Sequence, residues 1–300
     1  MRYTKPALTF DEQADLLISR GLVADKAQLV KRLEATSYFR LSGYLHLFRV
    51  PGTVQYQHGT TLEQVWRRCL FDQRLRTLVL DAIEAIEVFT RTQLAYSFAH
   101  QYGPFAYDDE QNFPNLNSTV FQKWQDKLTE QVDRSRQAKE EFLVHFFRQY
   151  GDVHTMPPIW SMIELMDFGS TLTFYRGIDY RIKQQIAGKV GVPDTVFSSW
   201  LLTLNTVRNR CAHHLRLWNW TLGNPVKLPS IRKHPHWSIQ NLPNDKLGVV
   251  LLFCRQLLNE ISPGNHWTTR MNQHFDEFPE IPLNYMGLPA DWRNHPLWTS

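Results

Sequence analysis

Apolar residues in this chain return every third or fourth position far more often than every second, which is the spacing of helices with one buried face. The longest such run goes from Thr61 to about His100. Leu62, Val65, Trp66, Cys69, Leu70, Leu75, Leu78, Val79, Ala82, Ile83, Ile86, Phe89 and Leu94 keep the period, and no Gly or Pro interrupts before Gly103-Pro104. A helix of that length is the expected spine of the fold. Upstream, Thr9-Phe10-Asp11-Glu12 reads as a capping box, in which hydroxyl and carboxylate each satisfy an end N–H, and Leu16, Leu17 and Ile18 follow it. Asp25 is placed to cap a second helix carrying Leu29, Val30 and Leu33, and the aromatic-rich Tyr38–Tyr44 segment leads to a turn at Pro51-Gly52. Residues 108–118 read as a polar loop, and further helices are expected near 119–149, 158–176, 179–190 and 193–214. Strand-like alternation is scarce, so the expected class is all-α.

After Trp220 the pattern changes. Nine of the 16 prolines lie from Pro225 onward, and one helix is expected there, near Asp245 to Ile261. From Phe278 the tail alternates Pro with aromatic residues, which predicts an extended segment packed over the helical body. The expected organisation is a helical body over residues 1–222 and a Pro- and aromatic-rich extension over 223–300. One domain is favoured over two, with any split falling near 222–245.

Composition narrows the class. Of 300 residues, 43% are apolar and 21% charged, which excludes a chain disordered throughout. The formal charge of +4 is too mild to prove a polyanionic partner, although Arg outnumbers Lys by 22 to 11 and is the better bidentate phosphate ligand. Cys69, Cys211 and Cys254 are far apart with no C-x-x-C, arguing against a disulfide framework or cysteine zinc site. The start, MRYTKPALTFDEQ, lacks the apolar core of a signal peptide, and no run reaches membrane-span length. A cytoplasmic protein, with no cofactor, metal or membrane partner, is the expectation.

The weak positive charge is concentrated. Between Asp194 and Asp245 there is no acidic residue, while the stretch holds Arg208, Arg210, Arg216, Lys227, Arg232 and Lys233. Val196, Phe197, Trp200, Leu201, Leu204 and Val207 carry a helical period through it. On that helix Asn209 and His213 share a face, one turn apart. Arg208 lies about 140° round from His213, but its side chain is long enough to reach back. These groups suit RNA cleavage. The 2′-OH needs a base near neutral pH, which imidazole supplies. The phosphorane gains charge on its non-bridging oxygens, which a guanidinium stabilises through two N–H bonds.

Arg-x4-His alone is a weak signal: with 22 Arg and 12 His in 300 residues, about 0.9 matches are expected by chance. Requiring Asn after the Arg lowers this to roughly 0.04, and Arg208/His213 is the one pair at this spacing. Against it stands the commonplace role of helix-end Arg and His, which is to cap the dipole at the surface.

The run Arg208-Asn209-x-x-x-His213 resembles the R-N-x3-H signature of the HEPN superfamily of metal-independent ribonucleases. More specifically, the chain resembles the Abi family of AbiD/AbiF-like abortive-infection proteins. The resemblance includes Lys5-Pro6-x-Leu8-Thr9-Phe10-x-x-Gln13, Tyr38-Phe39-Arg40-Leu41-Ser42-Gly43-Tyr44, Phe71-Asp72-x-x-Leu75-Arg76 and Ala82-Ile83-Glu84-x-Ile86-Glu87. It continues through Pro158-x-Trp160 with Glu164, and Arg208-Asn209-x-Cys211-Ala212-His213-His214-x-Arg216-Leu217-Trp218-Asn219, spanning about residues 5–220. It implies a HEPN-like helical bundle, an active site shared between two protomers, and a role as an antiphage defence protein or toxin. Arg208, Asn209 and His213 are then the expected catalytic residues, with His214, Arg210, Arg216 and Glu164 in support. RNA is the expected substrate, and an antitoxin, RNA or protein, is a candidate partner. One Arg and one His serve a phosphate poorly as both clamp and acid–base pair, so an isologous homodimer is expected.

Other features have plainer readings. Glu84, Glu87 and Glu164 read first as helix-surface ion-pair residues, Glu87 with Arg91 in particular, and second as partners orienting Arg208 or His213. Tyr38, Arg40 and Tyr44 read as core packing before base stacking, and Cys211 as packing before nucleophile. His234-Pro235-His236 has H-x-H spacing without a third ligand nearby. Two rivals are a helix-turn-helix over residues 182–207 reading DNA, and a catalytically silent HEPN scaffold binding RNA or protein. A recognition helix exposes polar residues at its start, whereas Phe197, Trp200, Leu201 and Leu204 have the pattern of a buried face.

Overall fold

The computed structural model describes Arg2, residues 6–238 and residues 242–299; Lys5 of the opening motif lies outside the described residues. Helices and short 3-10 turns build the fold, and among the described residues no β-strand forms beyond isolated bridges. The protein is all-α, as the periodicity predicts.

The cap signals act where expected. Helix α1 (Phe10–Ser19) opens on the capping box, with the Glu12 N–H donating to Thr9 Oγ1 at 3.3 Å and the Thr9 N–H to Glu12 Oε2 at 2.7 Å. Helix α2 (Lys26–Thr36) is capped by Asp25, whose carboxylate accepts from the Gln28 N–H at 2.8 Å. Helix α3 (Tyr38–Leu45) takes in the aromatic segment, and helix α4 (Leu62–Tyr102) is the predicted long helix.

Two expected helices are each broken in two. The run near 119–149 forms α5 (Ser118–Gln137) and α6 (Glu141–Tyr150), because Lys139 takes a left-handed φ of 59° that no helix continues through. The run near 158–176 forms α7 (Ile159–Leu165) and α8 (Phe168–Gly177). There Met166 is extended, and Asp167 restarts the helix by accepting the Ser170 N–H at 2.8 Å. Helices α9 (Tyr180–Gly188), α10 (Asp194–Ala212) and α11 (Leu247–Ile261) follow near their expected places. The C-terminal segment holds a helix the pattern reading omits, α12 (Trp267–Glu277), in which Trp267, Met271 and Phe275 are buried at helical spacing. Nor is the tail extended. It coils through 3-10 turns at Leu283–Met286 and Trp292–Asn294 into α13 (Pro296–Thr299), burying Met286, Leu288, Trp292, Leu297 and Trp298. Aromatic bulk between prolines gains more by collapsing than by lying flat.

The chain divides into two compact units, residues 1–77 with 271–282 and residues 78–270 with 283–300. The first has a core of Ala14, Leu17, Leu29, Leu33, Leu41, Leu45 and Val65, among others. Tyr44 is buried there and donates to Asp72 Oδ2 at 2.7 Å, which gives this tyrosine a packing role. Asp72 also accepts from Arg76 Nη1, one turn on along α4.

His274 of α12 belongs to the same unit. It is 5% exposed and stacks on Phe71 with ring centroids 4.5 Å apart. Burial, aided by the Arg74 charge and opposed by Glu277, lowers its pKa from 6.5 to about 4. An unfolded histidine takes a proton already near its ordinary pKa, so the stability from the neutral buried ring is lost as pH falls from about 6.5 towards about 4. His274→Phe keeps the stack and removes the titration. Its melting temperature is expected to fall less than the wild type's across that window, and parallel profiles would show the ring carries no such linkage.

The second unit absorbs much of the aromatic surplus. Phe98, Phe113, Phe121, Trp124 and Phe174 form one cluster with centroid separations between 4.9 and 6.1 Å. Trp200 of α10 stacks on Phe253 of α11 at 4.8 Å and 10°, which fixes α10 by its apolar face.

Candidate active site

Helix α10 separates its residues sharply by face. Val196, Phe197, Trp200, Leu201, Leu204, Val207 and Cys211 are buried, while Asn209, Ala212 and His213 at its C-terminal end are exposed. The end is made by a Schellman motif, in which the His214 N–H donates to the Cys211 carbonyl and the Leu215 N–H to the Arg210 carbonyl, each at 2.9 Å. The left-handed residue this motif requires is most often Gly; here it is His214, at φ 57°. His213 is the C-cap just before it, its N–H bonded to the Asn209 carbonyl at 2.9 Å.

A non-glycine residue in this conformation carries about 1–2 kcal/mol of strain. His214→Gly relieves it but adds unfolded-chain freedom worth about 0.5–1 kcal/mol. A net stabilisation of up to about 1 kcal/mol is expected, read as a raised denaturant midpoint with unchanged slope. A variant less stable than wild type would mean that the imidazole, rather than the backbone shape, holds this end.

Arg208 is half-buried, and its Nη1 donates to Oδ1 of the next residue, Asn209, at 3.3 Å. Arg208 and Asn209 are thereby joined, and Asn209 and His213 are successive on the open face. His213 and Arg208 share no direct hydrogen bond. Arg210 has a supporting place: its Nε donates to the Arg216 carbonyl at 2.6 Å and its guanidinium lies 4.5 Å from the Trp220 ring centre. That pair ties the helix to the turn that follows, whose Leu217 and Trp218 are fully buried. The His214 side chain and Arg216, at the start of that turn, are exposed and half-buried.

The acids divide. Glu87 pairs with Arg91 as its spacing predicts, and Arg91 also donates to the Met166 carbonyl. Burial raises the Glu87 pKa, while the charges of Arg91 and then Arg208 oppose that rise. The segment that holds no acid in sequence therefore has one beside it in space, supplied by α4. Glu164 and Glu84 are exposed, and among the described residues neither bonds or pairs with Arg208, Asn209 or His213. Cys211 is 1% exposed, in keeping with packing rather than nucleophilic attack. No group of three or more His, Cys, Asp or Glu residues fit to hold a metal occurs among the described residues, and no helix there is long and apolar enough to cross a membrane.

The chain that emerges is an all-helical protein carrying Arg, Asn and His at the open end of a buried-faced helix. A family model described as Abi-like protein matches residues 31–219, a span that contains all three, and the chain belongs to that family. Searches of curated proteins and of solved structures return no match.

Proposed function

We propose that this protein is a metal-independent endoribonuclease of the HEPN type, of the AbiD/AbiF-like branch, acting in abortive infection as an antiphage toxin. The observation that carries this reading is the grouping of Arg208, Asn209 and His213 at one exposed helix end within the family-matched span. His213 removes the proton from a ribose 2′-OH, whose oxygen attacks the adjacent phosphorus. The P–O5′ bond breaks, and the departing oxygen takes a proton from an imidazolium. Arg208, held by Asn209, stabilises the charge that grows on the non-bridging oxygens. A second protomer supplies the second imidazole, so the working species is a homodimer.

Residues 220–227 pack over the outer face of α10, through the Lys227 N–H to Ser199 Oγ and Trp200 Nε1 to the Lys227 carbonyl. They so cover the face that a recognition helix would insert into a DNA groove, which weighs against the helix-turn-helix alternative. The test is purified protein incubated with RNA in EDTA. Cleavage leaving 2′,3′-cyclic phosphate and 5′-OH ends, by a species that light scattering shows to be a dimer, is the expected result. Salt-dependent binding to duplex DNA without RNA cleavage would overturn the reading. RNA binding without cleavage would instead favour a silent scaffold.

A further inference from the structure

The face of α10 that points away from its core carries a stripe of hydroxyls. Thr195, Ser198, Ser199, Thr203 and Thr206 recur at helical spacing and form one wall of a groove of about 600 Å³. The segment from Trp220 to Lys227 forms another wall. It is pinned there by the Lys227 N–H donating to Ser199 Oγ at 3.0 Å and by Trp200 Nε1 donating to the Lys227 carbonyl at 3.0 Å. Arg176 and Lys183 line it from α8 and α9.

We infer that this groove holds the RNA strand beside the linkage being cut, as a single-stranded ribonucleotide track leading to His213. The inference rests on the ribonuclease reading for what happens at the far end, but not for binding.

Three observations carry it. First, the direction is right: at 100° per residue His213 falls at the same azimuth as Thr195, and Asn209 lies within about 40° of it. The stripe therefore runs straight onto the exposed motif residues, about 27 Å along the helix from Thr195.

Second, the charge is right. The lining holds Arg176, Lys183 and Lys227 against the single carboxylate of Asp194. Arg176 and Lys227 are exposed, and neither forms an ion pair among the described residues.

Third, the hydrogen-bonding groups are mixed in the way a ribose phosphate needs. Ser199 Oγ already accepts a backbone N–H, so its own proton is available to a phosphate oxygen. Thr203 and Thr206 give their protons to the Ser199 and Leu202 carbonyls at 3.0 and 3.1 Å, leaving lone pairs for a donor such as a 2′-OH. A ribose phosphate meets both sets from one repeating unit, its anionic oxygens facing the cations and its 2′-OH the acceptors.

The experiment measures binding in the full-length His213→Ala protein, so that cleavage plays no part. Fluorescein-labelled oligoribonucleotides, from a mononucleotide to a dodecamer, are titrated by anisotropy across a range of salt. Arg176→Glu and Lys227→Glu, both at exposed positions, are each expected to weaken dodecamer binding about tenfold and lower the salt slope by about 1. Lys31→Glu, an exposed lysine of α2, serves as the charge-matched control and is expected to change affinity by less than about twofold. Affinity is expected to rise with length and to fall for DNA of the same sequence.

Unchanged affinity in both groove variants, no RNA binding at all, or a mononucleotide binding as tightly as the dodecamer would each overturn the track. So would a groove variant that altered only the oligomeric state. Loss of binding in the groove variants, with a wild type that cuts no RNA, would uphold the track and remove the ribonuclease.

Discussion

His213→Ala is expected to lower the rate of the proposed RNA cleavage about a thousandfold, the middle of the range for removing a general acid–base group. The side chain is exposed and bonded to no neighbour among the described residues, while its backbone N–H, which the substitution keeps, closes the helix. Folding should therefore be nearly untouched, and the loss should fall on catalysis rather than on the amount of folded protein. Arg208→Ala is expected to cost about a hundredfold to a thousandfold, because it removes the donors that stabilise phosphorane charge. Arg208→Lys should recover only part of that, since an ammonium cannot reproduce a two-pronged contact. Asn209→Ala acts through Arg208, which it leaves without its acceptor at 3.3 Å, and a loss of about tenfold is expected. Single-turnover cleavage of a labelled RNA in EDTA measures all four variants. A folded His213→Ala protein cutting at more than a tenth of the wild-type rate would remove this histidine from the mechanism.

The second large effect is on stability. Asp72 is fully buried and Arg76 is 6% exposed, and the aspartate accepts from both Arg76 and Tyr44. Asp72→Ala leaves a buried guanidinium without its carboxylate, which typically costs about 3–5 kcal/mol. Tyr44→Phe removes one hydrogen bond to a charged group, worth about 1.5–3 kcal/mol. Burial together with the Asp72 charge raises the Tyr44 pKa, so the phenol remains a donor throughout the accessible range. Denaturant unfolding of the full chain, followed at its first transition because two compact units need not unfold together, tests both. An Asp72→Ala protein within about 1 kcal/mol of wild type would show that the pair contributes little beyond its own desolvation.

Much of this was open to reading in the chain. The length of α4, the caps at Thr9 and Asp25, and the register that puts Asn209 and His213 on one face follow from local spacing and local hydrogen bonds. The break at Asp167 is also legible, since Asp is a preferred N-cap residue, but the apolar residues on both sides mask it. The break at Lys139 carries no Gly or Pro to announce it. The hydroxyl stripe of α10 stands at regular spacing in the sequence, but a polar face usually signals only solvent.

What the sequence determined by itself was therefore local: an all-helical chain, the end of α10 near His213, and one Arg-Asn-x3-His in a stretch without acids. Tertiary structure decided what each face meets. It set Glu87 of α4 within electrostatic reach of Arg208, spent Arg210 on the Arg216 carbonyl and the Trp220 ring, and folded residues 220–227 back to make a wall facing the hydroxyls. The physical reason is range. Helical period and capping are fixed by residues three or four apart. Burial, neutralisation and the shape of a groove depend on partners beyond that reach, from the next turn for Arg210 and the Arg216 carbonyl to another helix far back in the chain for Arg208 and Glu87, and no spacing rule encodes them.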